Sequence, residues 1–309
     1  IRKEQSVTYE NLPGFVAKYR VEKTEDDFNL INIGDFNKLT VKRKTEFGYF
    51  LDGQTNNTKD DILLHNRLIG KNEINIGDEV NSFIFKDSDD RTAATLIPPL
   101  AKVGDVAHLK VVDNTDIGTF IDMGLTKDIL VPFKAKTYPL FRDEKYLFYI
   151  YLDKSKRIAA TTDIDSYLLT DHTYNVGDIV TGVVYGFQTN NSAMICVDNK
   201  YAGVILHNEY FTELKAGDVL ENLHVIKIYE DGKLGLSPRG NRKDELDTLE
   251  NKILSYLEGS DGYMRFNDKS DPKDISILFN SSKKNFKRAL GVLMKKDLIY
   301  QDEDGTYLK

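Results

Sequence analysis

The 309-residue chain carries 42 Lys and Arg against 49 Asp and Glu, a formal net charge of −7, and is 40% hydrophobic. This is an ordinary globular composition for two to four small domains, and it argues against the uniformly positive surface of a strongly basic DNA binder. No run approaches the ~18 apolar residues that span a bilayer, so no membrane partner is expected, and the one cysteine, Cys196, excludes an intramolecular disulfide and a cysteine zinc site.

Residues 1–30 open without a signal-peptide pattern, and a start at Ile1 rather than Met is consistent with trimming or an upstream extension. Leu12-Pro13-Gly14 marks a turn, and residues 15–21 have the composition of a strand. We read 1–30 as an N-terminal extension without an assigned role.

From there the chain repeats. Ile33-Gly34-Asp35, Val103-Gly104-Asp105 and Val176-Gly177-Asp178 each open a strand-rich stretch, and Gly34 precedes Gly48 by the interval that separates Gly104 from Gly118. Thr45-Glu46-Phe47-Gly48-Tyr49-Phe50-Leu51-Asp52 recurs as Ile117-Gly118-Thr119-Phe120-Ile121-Asp122. Asp61-Ile62-Leu63-Leu64-His65 recurs as Asp128-Ile129-Leu130-Val131-Pro132-Phe133 and as Ala202-Gly203-Val204-Ile205-Leu206-His207. Arg91-Thr92-Ala93-Ala94-Thr95 matches Arg157-Ile158-Ala159-Ala160-Thr161, and Lys233-Leu234-Gly235-Leu236-Ser237 is a looser third version. A second Gly-Asp pair, Gly77-Asp78 and Gly217-Asp218, has Arg142-Asp143 near its place in the second repeat.

Alternating apolar residues and turn signals predict five short strands in the first repeat, near 36–43, 47–52, 61–65, 79–86 and 91–97. Five strands after a Gly-Asp turn suggest the five-stranded Greek-key barrel of the OB-fold. The expected domains are barrels over 31–98, 99–165 and 173–239. A glycine between aromatics marks a strand that bends or lets another backbone approach. Aromatics on such a strand read either as a core cluster or as a stacking surface for bases.

After Arg239-Gly240 the pattern turns helical. Leu246, Leu249, Ile253, Leu254 and Leu257 recur at helical spacing, followed by a short strand at Tyr263-Met264-Arg265-Phe266. Ser270 or Asp271 caps a second helix with Pro272 inside it, and Ser281 or Ser282 caps a third. A hairpin closes the chain through Asp304-Gly305. Helix, strand, helix, helix, hairpin over 243–309 is the order of a winged helix, giving a mainly β chain with a C-terminal α+β domain. Residues 282–296 hold Lys283, Lys284, Lys287, Arg288, Lys295 and Lys296 with no acid among them. In a helix-turn-helix this helix enters the major groove; charge runs are otherwise solvated faces. The acidic hairpin (Asp302, Glu303, Asp304) is unlike a wing that grips phosphate.

Catalytic sets are absent. The five histidines show no HxH or HExxH spacing, there is no P-loop, and the carboxylates fall in turns. His65 and His207 read as occupants of one repeat position. No catalytic residue, metal or cofactor is expected.

With these residues in view, Phe47-Gly48-Tyr49-Phe50 and Leu63-Leu64-His65 resemble the signature of S1-type RNA-binding domains. Three such barrels and a winged helix, with Phe266 to Pro272 and Phe286 to Gly291, resemble the conserved virulence factor B family of bacterial RNA-binding regulators over roughly residues 30–309. The resemblance implies that Phe47 and Phe50 stack on bases, with His65 and Arg91 as polar contacts. In the second barrel Phe120, Phe133 and Arg157 correspond, while Ile117 and Pro132 replace an aromatic and the histidine. In the third, His207 remains, with Asn191 and Met194 where aromatics belong. Lys283, Lys284, Lys287 and Arg288 are the candidate contacts of the winged helix. The expected function is non-catalytic binding of single-stranded RNA in the cytoplasm, with a role in regulating gene expression. The alternatives are a DNA-binding transcription regulator acting through the winged helix, and a protein-interaction scaffold with degenerate barrels.

Overall fold

A Gly-Asp turn starts each barrel because its glycine adopts a positive φ, as at Gly34, Gly104 and Gly177. The amide of each then donates to a strand across the barrel: Gly34 to Ile84, Gly104 to Ile150, Gly177 to Val225. The computed structural model describes residues 31–55, 57–239 and 242–309; the turn and strand expected within residues 1–30, and the side chain of Leu246, lie outside the described residues. Contacts divide the chain into two units, one ending at Pro98 and one running from Pro99 to Lys309.

In the first unit, β1 (Phe36–Lys44), β2 (Gly48–Leu51), β3 (Ile62–His65), β4 (Glu79–Lys86) and β5 (Thr92–Thr95) close into a barrel in the order β1-β2-β3-β5-β4. Neighbours are antiparallel except β3 and β5. Leu39, Val41, Tyr49, Leu51, Ile62, Leu64, Val80, Ile84 and Ala94 fill it, the inward half of each period-2 alternation. A bulge between Val41 and Arg43 leaves both Lys42 and Arg43 exposed on the outer face. Gly48 is required by close approach. Its φ is +155°, and a Cβ there would lie 2.2 Å from the Leu64 carbonyl oxygen.

In the second unit, β6 (Val106–Thr115), β7 (Gly118–Asp122), β8 (Ile129–Pro132), β9 (Lys145–Leu152) and β10 (Ile158–Thr161) form a barrel in the order β10-β8-β7-β6-β9. A third barrel follows, from β11 (Ile179–Phe187), β12 (Ala193–Val197), β13 (Tyr201–Ile205), β14 (Val219–Ile228) and β15 (Leu234–Ser237). The two barrels share a buried cluster. Leu147, with Val106 and Tyr149 at its margin, comes from the outer face of β6 and β9. Ile164 and Leu168 come from the connecting segment, and Val183, Tyr185, Cys196 and Ala202 from the outer face of β11, β12 and β13. The connecting segment is tied down by a Tyr149–Tyr167 stack at 3.5 Å, by the Tyr185 hydroxyl donating to Asp165 at 2.6 Å, and by backbone bonds of Leu169 to Lys200 and Ala202.

Helix α1 (Arg242–Glu258), β16 (Tyr263–Met264), α2 (Pro272–Phe279), α3 (Lys283–Lys295), β17 (Ile299–Gln301) and β18 (Thr306–Leu308) complete the chain, with sheet order β16-β18-β17. Asp271, not Ser270, caps α2 by accepting from the Lys273 amide at 2.7 Å, and Ser282, not Ser281, caps α3 by accepting from the Asn285 amide at 3.2 Å. Leu249, Ile253, Leu257, Phe266, Ile275, Phe279, Phe286, Leu290 and Leu293 form the core. Three closed five-stranded barrels and a winged helix are the architecture expected from the repeats.

Candidate nucleic-acid interface

Pairing of β2 with β3 sets Gly48 opposite His65 and Phe50 opposite Leu63, and pairing of β1 with β2 sets Arg43 opposite Phe50. Because side chains alternate across a strand, Arg43, Phe50, Leu63 and His65 share the outer face of the first barrel. Phe47, in the loop before β2, is 61% exposed. This strand 2–3 face with its flanking loops is where five-stranded barrels of this topology bind oligonucleotides. Nδ1 of His65 accepts from the Arg67 amide at 3.3 Å, so the neutral ring carries its proton on Nε2, a donor for a base edge or a 2′-hydroxyl.

A cleft of about 610 Å³ opens beside Phe50 and Leu63 and is lined also by Asp61 and Arg91. Arg91 is paired with Asp87 at 2.9 Å and Asp89 at 2.8 Å, so its exposed guanidinium sits in an ion-pair network. Arg43 and Asp61 escaped sequence reasoning. The bulge in β1 that turns Arg43 outward leaves no mark in the residue pattern, and Asp61 resembles any other loop carboxylate. The Arg43 guanidinium lies 3.5 Å from the centre of the Phe50 ring. Lys42 bonds Asp52 at 2.9 Å, and this bond holds the Lys42 ammonium above its ordinary pKa and the Asp52 carboxyl below its own.

The same register locates the counterparts. In the second barrel Gly118 faces Pro132 and Asp113 faces Phe120. Phe120 therefore stands where Phe50 does, but opposite an acid instead of Arg43. Phe133 is 54% exposed with the Lys136 ammonium 4.5 Å from its ring centre, and Ile117 is exposed in the place of Phe47. Burial and the neighbouring Asp122 raise the pKa of Asp128. Arg157 is exposed in the β9–β10 turn, its amide donating to Asp153 as that of Arg91 does to Asp87.

The third barrel corrects one expectation. Pairing of Ala193 with Ile205 and Met194 with Val204 places Leu206, not His207, at the position of His65. His207 starts the following 3-10 turn, as Asn66 and Phe133 do. Histidine identity suggests one alignment of the repeats, but strand register is set by the buried aliphatics. Likewise Asp143, with φ 68°, takes the place of Gly77 and Gly217: its amide donates to Val111 as theirs do to Val41 and Val184. The outer face of β12 and β13 is also engaged, with Met194 packed against the cluster shared with the second barrel.

On the winged helix, the Lys283 ammonium donates to the Lys269 carbonyl at 3.1 Å and Lys287 pairs with Asp268 at 3.2 Å. Lys284 and Arg288, with Lys295, are exposed at helical spacing along one face of α3. Among the described residues no group of three or more His, Cys, Asp or Glu side chains is arranged to hold a metal ion, and no helix is long and apolar enough to cross a membrane.

Comparison with known proteins matches residues 33–96 and 103–163 to the S1 domain and residues 251–308 to the CvfB-like winged helix domain. The chain is 36% identical to the YitL protein of Bacillus subtilis over 281 residues, 88% of this chain and 92% of that one. It is 28% identical to conserved virulence factor B of Staphylococcus saprophyticus, covering 74% and 79%, and 25% identical to that of Staphylococcus aureus, covering 74% and 78%. A crystal structure of a multidomain protein with nucleic acid binding domains from Streptococcus pneumoniae aligns over 90% of this chain and 98% of that one, at 25% identity and a TM-score of 0.48.

Proposed function

The chain belongs to the conserved virulence factor B family, and we propose that within it this protein is a non-catalytic binder of single-stranded RNA that regulates gene expression after transcription, in the cytoplasm. The observation that carries this reading is the gathering about the strand 2–3 face of the first barrel of exposed Phe47, half-buried Phe50 and His65, and the arginines Arg43 and Arg91. Unstacked bases offer faces to aromatic side chains, worth about 1–3 kcal/mol per base, and the 2′-hydroxyl offers a partner to His65. Phe120, Phe133 and Arg157 supply a weaker second contact. His207 sits outside the equivalent strand position, and the third barrel serves mainly as a platform for the second.

Fluorescence anisotropy with labelled single-stranded RNA, single-stranded DNA and duplex DNA tests this. The parent is expected to prefer single-stranded RNA. Phe47→Ala/Phe50→Ala/His65→Ala is expected to lose about tenfold or more in affinity while its far-UV circular dichroism is retained. Undiminished binding in the triple variant would move the site elsewhere. A second reading, duplex DNA binding through α3, is favoured by the exposed Lys284, Arg288 and Lys295. It predicts duplex preference, a steep salt dependence, and loss on Lys284→Ala/Arg288→Ala; Lys283 and Lys287 would matter less, being engaged within the domain.

A further inference from the structure

The ring that would make Phe50 a stacking surface is already covered. The Arg43 guanidinium lies 3.5 Å from its centre, contact distance for two stacked planes, and about half of the Arg43 side chain (46%) remains exposed. Beside it, the Asp61 side chain is 1% exposed. Its oxygens lie 3.7 Å from Arg43 Nε and 3.8 Å from Lys42 Nζ, and neither oxygen has a hydrogen-bond partner among the described residues. A buried carboxylate is tolerated only beside compensating charge, and here the charge comes from the two cations that the β1 bulge turns outward. Asp61 in turn restrains Arg43 over the ring. A guanidinium is planar and weakly hydrated, so it stacks on an aromatic face and keeps its other face available to a second π system, which an ammonium does not.

The repeats supply an internal comparison. The partner of the Phe50 equivalent is Asp113 in the second barrel and Gly186 in the third. The position of Asp61, one residue before the paired Ile62, is Asp128 in the second and Ala202 in the third. Among the described residues, only the first barrel combines ring, guanidinium and buried carboxylate.

Building on the RNA reading above, we propose that a base of single-stranded RNA stacks on the outer face of the Arg43 guanidinium, with Phe50 as the layer beneath and Asp61 as the positioning residue that holds Arg43 flat. Phe47 provides the neighbouring, directly exposed aromatic. Arg43 is thus a binding residue of the site, and its planar shape matters in addition to its charge.

The test measures affinity for a labelled single-stranded RNA across salt for the full chain and its Arg43→Ala, Arg43→Lys, Asp61→Asn and Asp61→Asn/Arg43→Ala variants, with thermal unfolding of each. Arg43→Ala is expected to lose about tenfold, the scale of one stacked base. Arg43→Lys is expected to lose nearly as much at high salt, where charge is screened, while keeping the parent's dependence of affinity on salt. Asp61→Asn is expected to weaken binding in the parent but to add little once Arg43 is gone, a non-additivity that general damage to the barrel would not produce. Parent-like or tighter binding by Arg43→Ala would mean that the base stacks on Phe50 directly and would overturn the proposal. Full retention by Arg43→Lys would reduce Arg43 to a point charge and also overturn it. If Phe47→Ala and His65→Ala lose affinity and Arg43→Ala does not, the layered stack falls while RNA binding stands. If the parent binds no RNA, both fall together.

Discussion

Gly48 and Gly118 show how one residue carries both fold and site. Each has a positive φ near 150°, and each passes within contact of the carbonyl of the neighbouring strand, where a Cβ would come within 2.2 Å of Leu64 oxygen and 2.4 Å of Val131 oxygen. Relief requires moving β3 or β8, which would shift His65 or Pro132 relative to the aromatics before and after the glycine. Gly48→Ala is therefore expected to destabilise the first barrel by about 3 kcal/mol, from backbone strain and the displaced strand together; urea unfolding monitored by circular dichroism measures it. The glycine and its aromatic neighbours were legible in the sequence because the constraint is local. Arg43 was not, because its outward turn depends on a bulge and its function on Asp61, which reaches it only when β1 and β3 are brought together. His207 was misplaced for a related reason: residue identity suggested one alignment, and the burial of Ile205 enforced another.

At the scale of the element, α3 gathers Lys283, Lys284, Lys287, Arg288 and Lys295 with no acid among them. Its buried face, Phe286, Ala289, Leu290 and Leu293, follows the helical period, so its existence was readable in advance, and its cap as far as the choice between Ser281 and Ser282. The division of its lysines was not. Lys283 and Lys287 reach back to residues 268–269, whereas Lys284, Arg288 and Lys295 point away. Gly291 lies on this open face, and a Cβ there would meet nothing within 4 Å. Among the described residues nothing requires a glycine in this helix interior, where it costs about 0.8–1 kcal/mol relative to alanine. Gly291→Ala is expected to raise the stability of the winged helix by about that amount, read from chemical denaturation. A decrease would show that the site is constrained by packing after all.

Across the second unit, the two barrels are joined through a shared apolar cluster instead of a loose linker. His108 lies on the outer face of β6, paired with Leu147, and burial there lowers its pKa below the ordinary histidine value. As pH falls through about 6.5, the unfolded chain takes up a proton that the folded state resists. Stability then declines until pH passes below the lowered value and is constant with respect to this group beyond it. Melting temperatures at about pH 7.5 and about pH 5.5 are expected to differ by less in His108→Gln than in the parent. Cys196 shares this interface: burial pushes its thiol up to about 12, in keeping with a small strand residue enclosed on both faces.

What the sequence determined by itself is the part written in local periodicity. Entry turns and alternating strands, which recur in all three barrels, and the capped helices after them follow from short-range sterics and the burial of aliphatics. Which faces remain open was decided by tertiary structure. Phe50 and Met194 hold equivalent strand positions, yet one lies on an open cleft and the other packs against a neighbouring barrel. An outward side chain is apolar or polar, stacked or buried, according to what folds against it, and that depends on strand register and on contacts between segments far apart in the chain.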